Sequence, residues 1–284
     1  MIKSIIKQIL PSRIRAKTKK FYGKLRRTLT YCNKTSLDDL RRILTKDLGI
    51  KNGDRLIVTS GFGNLNAEGY GPKDVIMLIQ DIIGSEGTLM MPYYPPLNST
   101  EWAKVGKTFD MRHTKSGVGI ITEVFKTMAD VHISKHPTKA VAVWGKDASD
   151  IVAGHENSTT PFYWDSPYGK LLKLGSKSLG LGVWNNPMMH CVEDVLSEMG
   201  AYYQKSKYSL QVIDRQGNEM TVKTFVHNPK VMDNCVLPGK YVESLKCQTY
   251  KKVHFGYSFC CIVDNQDLFE RSKVEFAKGK TRKK

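Results

Sequence analysis

The stretch GDRLIVTSGFGNLNAEGYGPKDVIMLIQDIIGSEGTLMMP, residues 53–92, decides the fold. Gly53-Asp54 turns the chain into a short apolar strand, Arg55 to Val58. Thr59-Ser60-Gly61-Phe62-Gly63 follows as a polar, glycine-rich loop at the strand's C-terminal end. Pro72 opens a helical pattern carried by Val75, Leu78, Ile79, Ile82 and Ile83. Gly87 to Met91 reads as the next strand, stopped by Pro92. Strand, loop, helix and strand at this spacing make the βαβ unit of an α/β domain.

The same alternation extends in both directions. Upstream, Leu40, Ile43, Leu44 and Leu48 form a helical pattern with Ser36 as N-cap and Gly49 as stop. Downstream, Gly119 to Met128 reads as a helix, and Ala140 to Trp144 and Ser178 to Val183 read as strands. His190 to Met199 is helical by its Val192, Val195, Leu196 and Met199. Beyond Tyr202, residues 208–213 and 219–226 read as a hairpin around a Gln-Gly-Asn turn. Val242 to Cys247 reads as a helix and Tyr257 to Val263 as a last strand. The expected architecture is one α/β domain over residues 35–272, with a central mixed β-sheet flanked by helices and a late antiparallel hairpin.

The chain of 284 residues carries a net charge of +17, concentrated at its ends. Residues 1–27 hold about ten Lys and Arg and no acid, and residues 273–284 about six bases and one acid. The body between them is left near +2, a modest charge for an enzyme, so the basicity belongs to the ends. Ile2, Ile5, Ile6, Ile9 and Leu10 recur at helical spacing among lysines, which gives residues 1–34 the pattern of a basic amphipathic arm. Such an arm can lie on an anionic bilayer surface, which would make the protein peripheral at the inner membrane face of the cytoplasm. The 273–284 stretch is expected as a solvated, disordered basic tail. No nucleic-acid motif accompanies the charge, and nothing in the pattern fixes or forbids an oligomer. Cysteines at 32, 191, 235, 247, 260 and 261 have no metal spacing and fit reduced, buried thiols.

Several residue groups are suited to chemistry. The Thr59–Gly63 loop sits where open α/β sheets bind ligands, and its small residues let backbone N–H groups approach an anion or an amide. A plain tight turn is the alternative. His190 and Glu193 stand three apart on one helical face, so the carboxylate can orient the imidazole and leave its other nitrogen free to take a proton. An ordinary capping pair is the alternative there. His136 at a proline turn, with Ser134, Lys135 and Lys139, can meet a phosphate; a turn with solvated lysines is the alternative. Asp110 and Glu123 can bind a cationic amine; His155 is open to either a binding or a structural role. No third ligand lies at a suggestive interval from His190 and Glu193, so no metal is expected there.

The ordered set Phe109-Asp110, Thr114, Gly119 to Glu123, His136-Pro137-Thr138, Gly154-His155, Ser166-Pro167-Tyr168-Gly169, Leu179 to Gly182 and His190-x-x-Glu193 resembles the aminoglycoside 3-N-acetyltransferase family. The resemblance covers roughly residues 36–200 and implies that family's own α/β fold, distinct from the GNAT acetyltransferases. It implies acetyl-CoA or another acyl-CoA as co-substrate, an amine on a sugar as acceptor, and no metal. It further implies that His190 is the general base with Glu193 beside it, and that Thr59, Ser60, Gly61, Phe62, Ser134 and His136 lie by the coenzyme. Asp110, Glu123 and His155 are then expected at the acceptor. The chain departs from the family pattern at Thr59 and Lys139, where the family has His, and at Pro187, where it has a Thr that assists the thioester oxygen. The near-balanced charge of residues 109–155, with Lys104, Lys107, Arg112, Lys115 and Lys139 available to a pyrophosphate, suggests a nucleotide-linked amino sugar of surface polysaccharide biosynthesis as acceptor. Aminoglycoside acetylation, and a non-catalytic coenzyme-binding or glycan-assembly role, are the alternatives.

Overall fold

The computed structural model describes residues 34–198, 200–256 and 258–284. The amphipathic arm, and with it the membrane-docking expectation, lies outside the described residues except for Lys34, which pairs with Glu68 at 3.7 Å. Among the described residues no helix is long and apolar enough to cross a membrane.

The strands are β1 (Arg55–Ser60), β2 (Thr88–Tyr93), β3 (Phe109–Asp110), β4 (His132–Ile133), β5 (Ala140–Gly145), β6 (Lys177–Leu181), β7 (Tyr208–Ile213), β8 (Glu219–Thr224), β9 (Lys251–Phe255) and β10 (Ser258–Asp264). The helices that frame the site are α1 (Leu37–Arg42), α2 (Pro72–Ile83), α3 (Ile120–Phe125), α4 (Pro167–Leu174), α5 (Met188–Leu196), α6 (Pro238–Leu245) and α7 (Asn265–Ala277). Seven strands form the central sheet in the order β4-β5-β2-β1-β6-β10-β9. Its middle, β2-β1-β6, is parallel, as the βαβ pattern requires, and the outer strands are antiparallel. The central sheet is therefore mixed and flanked by helices, as the sequence indicates. The hairpin β7-β8 does not extend that sheet. It pairs with β3 as a separate three-stranded sheet.

Strand alternation divides the core in two. Leu56 and Val58 of β1, Leu89 and Met91 of β2, and Leu179 and Leu181 of β6 pack on one face with the buried stripes of α1, α2 and α3. Ile57, Met90, Val141, Val143 and Val263 point the other way, onto α4, α5, α6 and α7. Both faces of the sheet are thus covered, which explains why β2 is buried along its whole length.

Local signals behave as their chemistry demands. Ser36 caps α1 through a reciprocal box with Asp39, and the chain leaves that helical stretch at Gly49 with φ +75°. At the end of β6, Gly182 sits at φ +64°, and a Cβ there would meet Asn64 Cβ at 2.9 Å and the Gly61 carbonyl at 3.0 Å. This close approach, with Asn64 Nδ2 donating to the Gly182 carbonyl at 2.7 Å, locks the loop after β1 to the end of β6.

The expected basic tail is a correction. Residues 273–277 continue α7, which Asp264 caps by accepting from the Gln266 and Asp267 amides. Residues beyond Gly279 then return to the body: Val236 N donates to the Arg282 carbonyl at 2.8 Å, and Lys284 N to the Asn234 carbonyl at 2.9 Å. The physical reason is one buried side chain, Arg282, only 2% exposed. It turns inward and pairs with the buried Glu193, while Lys280, Lys283 and Lys284 beside it stay exposed.

Candidate active site

The parallel strands point their C-terminal ends at one cleft of about 280 Å³. It is lined by Thr59 and Ser60 at the end of β1, Tyr94 after β2, Thr122 on α3, and Val183 and Pro187 after β6. This is where an open α/β sheet leaves a crevice, since the loops after neighbouring strands diverge there.

Helix α5 begins at the rim of this cleft. Asn186 Oδ1 accepts from the Met188 amide at 3.0 Å and so starts the helix, which lies two residues ahead of its expected first residue. Met188, Met189, Cys191 and Val192 anchor the helix in the core. The Cys191 thiol is fully buried and its pKa is pushed well up by burial, which suits packing rather than acyl transfer. On the remaining face, His190 Nδ1 lies 3.0 Å from Glu193 Oε2. An ionised carboxylate only accepts, so Nδ1 carries the proton and Nε2 is the basic nitrogen. Nε2 makes no hydrogen bond among the described residues, and the side chain keeps 14% of its surface exposed.

Glu193 is wholly buried, and Arg282 neutralises it. Arg282 Nε donates to Oε1 at 2.6 Å and Nη2 to Oε2 at 3.0 Å, a two-pronged pair. Burial pushes the Glu193 carboxyl up, but the hydrogen bonds and charges of His190 and Arg282 overcome it, so the net shift is downward and Glu193 is ionised. His190 moves down as well: burial disfavours its cation, and this outweighs the support of Glu193. A neutral imidazole at neutral pH, with a fixed tautomer, is what proton abstraction needs.

An aromatic wall surrounds the ring. Phe162 stands 5.0 Å from it and His227 4.7 Å, centroid to centroid, and Tyr203 stacks on His227 at 4.8 Å. His227 Nε2 is buried and has no hydrogen-bond partner among the described residues. Behind this wall Asp194 accepts from the Thr160 hydroxyl, and from Tyr203 at 2.6 Å, and burial lifts its pKa to about 7. Lys139 lies over the Tyr94 ring at 4.3 Å, and burial lowers its amine to about 8.

The other expected residues divide. Thr59 and Ser60 line the cleft. Gly61 is held against β6, its amide donating to the Leu181 carbonyl at 2.8 Å, and Phe62 turns toward the core against Tyr70 at 6.4 Å. Ser134 and His136 are fully buried and do not line the cleft. Ser134 accepts from Val141 N at 2.9 Å and donates to His155 Nδ1 at 2.8 Å. His136 stacks on His155 at 4.6 Å and has both nitrogens engaged, with Lys139 N and with Thr224. His155 Nε2 donates to the Pro161 carbonyl at 3.1 Å. These three residues form an internal polar stack, and none of them lines the cleft. Asp110 is clamped by Arg112 at 3.0 and 2.9 Å, which draws its carboxyl down to about 2. Glu123 accepts from Ser116 N at 2.6 Å and pairs with Lys126 at 3.2 Å, so it shapes the 114–119 loop that supplies Gly117 and Val118 to the cleft. Sequence reasoning missed Arg282, His227, Asp194 and Tyr94. No local pattern marks them, because each reaches the site through tertiary contact. Among the described residues no group of His, Cys, Asp or Glu converges as a metal site.

Fold and site together define a three-layer α/β protein with a cleft at the C-terminal ends of its parallel strands and a carboxylate-held imidazole on the helix that follows β6. A model of the family described as aminoglycoside 3-N-acetyltransferase matches residues 57–276, and the chain belongs to that family. It is 27% identical over 172 residues to an aminoglycoside N(3')-acetyltransferase-like protein, YokD, of Bacillus subtilis, covering 52% of this chain and 61% of that one. It is 28% identical over 160 residues to aminoglycoside N(3)-acetyltransferase VII of Streptomyces paromomycinus, covering 50% and 54%. The matched stretch thus spans between half and two thirds of these relatives. Solved structures share the fold: AAC-VIa bound to sisomicin (TM-score 0.71, 20% identity, 87% of this chain and 98% of that one) and AAC-IIIb with CoASH (TM-score 0.69, 18% identity, 86% and 97%).

These likenesses correct the expected acceptor. The family and its named relatives point to aminoglycosides, not to a nucleotide-linked amino sugar of polysaccharide biosynthesis. The geometry removes the argument for a pyrophosphate too. None of Lys104, Lys107, Arg112, Lys115 and Lys139 lines the cleft; Arg112 pairs with Asp110, Lys107 lies over Trp102 at 5.9 Å, and Lys139 lies over Tyr94.

Proposed function

We propose that this protein transfers an acetyl group from acetyl-CoA to an amine of an aminoglycoside. The observation that carries the reading is the neutral His190 imidazole, its Nδ1 held by Glu193 and its Nε2 unengaged, on the helix that Pro187 joins to the cleft lining. The amine nitrogen attacks the thioester carbonyl while Nε2 takes its proton. The tetrahedral adduct collapses, the C–S bond breaks, and the imidazolium returns the proton to the departing thiolate. The products are an N-acetyl amide and free coenzyme A. Glu193 supports the cationic imidazole that forms midway, and this stabilisation acts only when charge develops. Pro187 replaces the hydroxyl that the family pattern places before the His, and a proline has no N–H to offer in its stead. The hydroxyls of Thr59 and Ser60 line the cleft without side-chain partners among the described residues and are the donors we assign to the thioester oxygen.

The solved relatives named with sisomicin and gentamicin supply the substrates for a test. Purified protein with acetyl-CoA and either compound is expected to release thiol and to yield a singly acetylated product by mass spectrometry. Coenzyme binding without turnover on any aminoglycoside would overturn the reading and leave a non-catalytic family member.

A further inference from the structure

We propose that Arg282 is a positioning residue for this acyl transfer: its guanidinium fixes the Glu193 carboxylate, and Glu193 in turn fixes the tautomer and orientation of His190. The inference rests on the reading of His190 as general base and adds a residue that the family match, ending at 276, does not reach. Arg282 is only 2% exposed and its partner fully buried, so water cannot substitute for either. Each Glu193 oxygen receives one arm of the fork, Nε on Oε1 and Nη2 on Oε2, and Oε2 also receives His190 Nδ1. The carboxylate plane is therefore set by Arg282 before any substrate arrives. The guanidinium is itself held, with Nη1 donating to the Val236 carbonyl at 2.7 Å. Tyr241 of α6 donates to the Lys280 carbonyl at 2.7 Å, and Cys235 pairs by its backbone with Lys283. Residues 280–284 form a strap across the 234–241 segment whose one inward side chain of charge ends on the catalytic carboxylate.

The charges around His190 give the role a direction. Glu193 on its own helix favours the imidazolium; Arg282 from the strap and Lys139 from before β5 oppose it. His227, beside the ring, is buried and neutral, and the Asp194 carboxyl is turned to Thr160 and Tyr203. Removing the Arg282 charge leaves the Glu193 carboxylate unbalanced against His190, so the imidazole becomes easier to protonate.

The test is an Arg282→Gln variant with histidine NMR titration of the resting protein and steady-state kinetics. The His190 titration is expected to move to higher pH, and the acidic limb of kcat with it. The kcat plateau is expected to fall roughly tenfold or more, a fraction of what loss of a positioned base costs, while KM for acetyl-CoA stays nearly constant. Arg282→Lys keeps the charge without the fork and serves where the Gln variant fails to fold. It is expected to lose kcat severalfold with a smaller displacement of the titration. Folded Arg282→Gln or Arg282→Lys protein with wild-type kcat and an unmoved His190 titration would sink the proposal. The titration needs no turnover, so a wild-type protein inactive on aminoglycosides overturns the functional reading while the coupling of Arg282 to His190 is still measured.

Discussion

His190→Ala is expected to lower kcat by about 10²–10⁴-fold, the contribution of a positioned general base. The KM for acetyl-CoA should change little, because the imidazole acts on the amine proton and not on the coenzyme. The fold should survive, since the ring keeps some solvent exposure and Glu193 retains both bonds to Arg282. The pH profile of the wild-type protein follows from the same geometry. Burial holds His190 below its ordinary value near 6.5, so kcat should be flat through neutrality and fall only under more acidic conditions. A His190→Ala protein with kcat within a few-fold of wild type would place the base elsewhere, with His227 the next group to test.

Glu193→Ala carries the largest expected cost in stability. It strands the Arg282 guanidinium in the interior and leaves His190 Nδ1 without its acceptor. Breaking a buried pair from one side costs about 3–5 kcal/mol, because the surviving charge has no water to turn to. Urea denaturation is the measurement, and a change below about 1 kcal/mol, the scale of an exposed ion pair, would mean that solvent reaches Arg282 after all. The pH dependence has a definite sign. The native pKa of Glu193 is depressed, so the pair's contribution is complete above the unfolded value, about 4.3, and is lost as pH falls through the native one. The Glu193→Ala protein should therefore lack this component of acid destabilisation.

Much of this architecture is written in local pattern. The βαβ unit of residues 53–92 fixes the parallel centre because its periodicity changes from strand to helix and back within a single segment. His190 and Glu193 are legible for the same reason, since a spacing of three on a helix is itself a distance. What escaped is of another kind. Arg282 stands 89 residues from Glu193 among lysines, and composition alone makes its segment look solvated. Helix α7 escaped because only Asn265, Leu268 and Ser272 along it are buried, too thin a stripe to read. Strand β9 is an edge strand with Lys251 and Lys252 exposed, the charge pattern that protects such edges. Ser134 and His136 were visible beside a proline turn and His155 after Gly154, but a one-dimensional reading cannot tell a ring facing substrate from a ring stacked on another ring. Asp110 misled in the opposite way: an acid two residues before an arginine is as ready to close on it as on a ligand.

The imidazoles of His136, His155, His190 and His227 have a joint consequence. All four are held below the ordinary histidine value by burial, His155 down to about 4. In the denatured chain each takes up a proton near pH 6.5, which the native interior refuses. Denatured protein thus binds more protons than native once the medium turns mildly sour, and the equilibrium tilts toward it. The molecule has an acid boundary set by its own histidines, one that arrives well before most of its carboxylates begin to titrate.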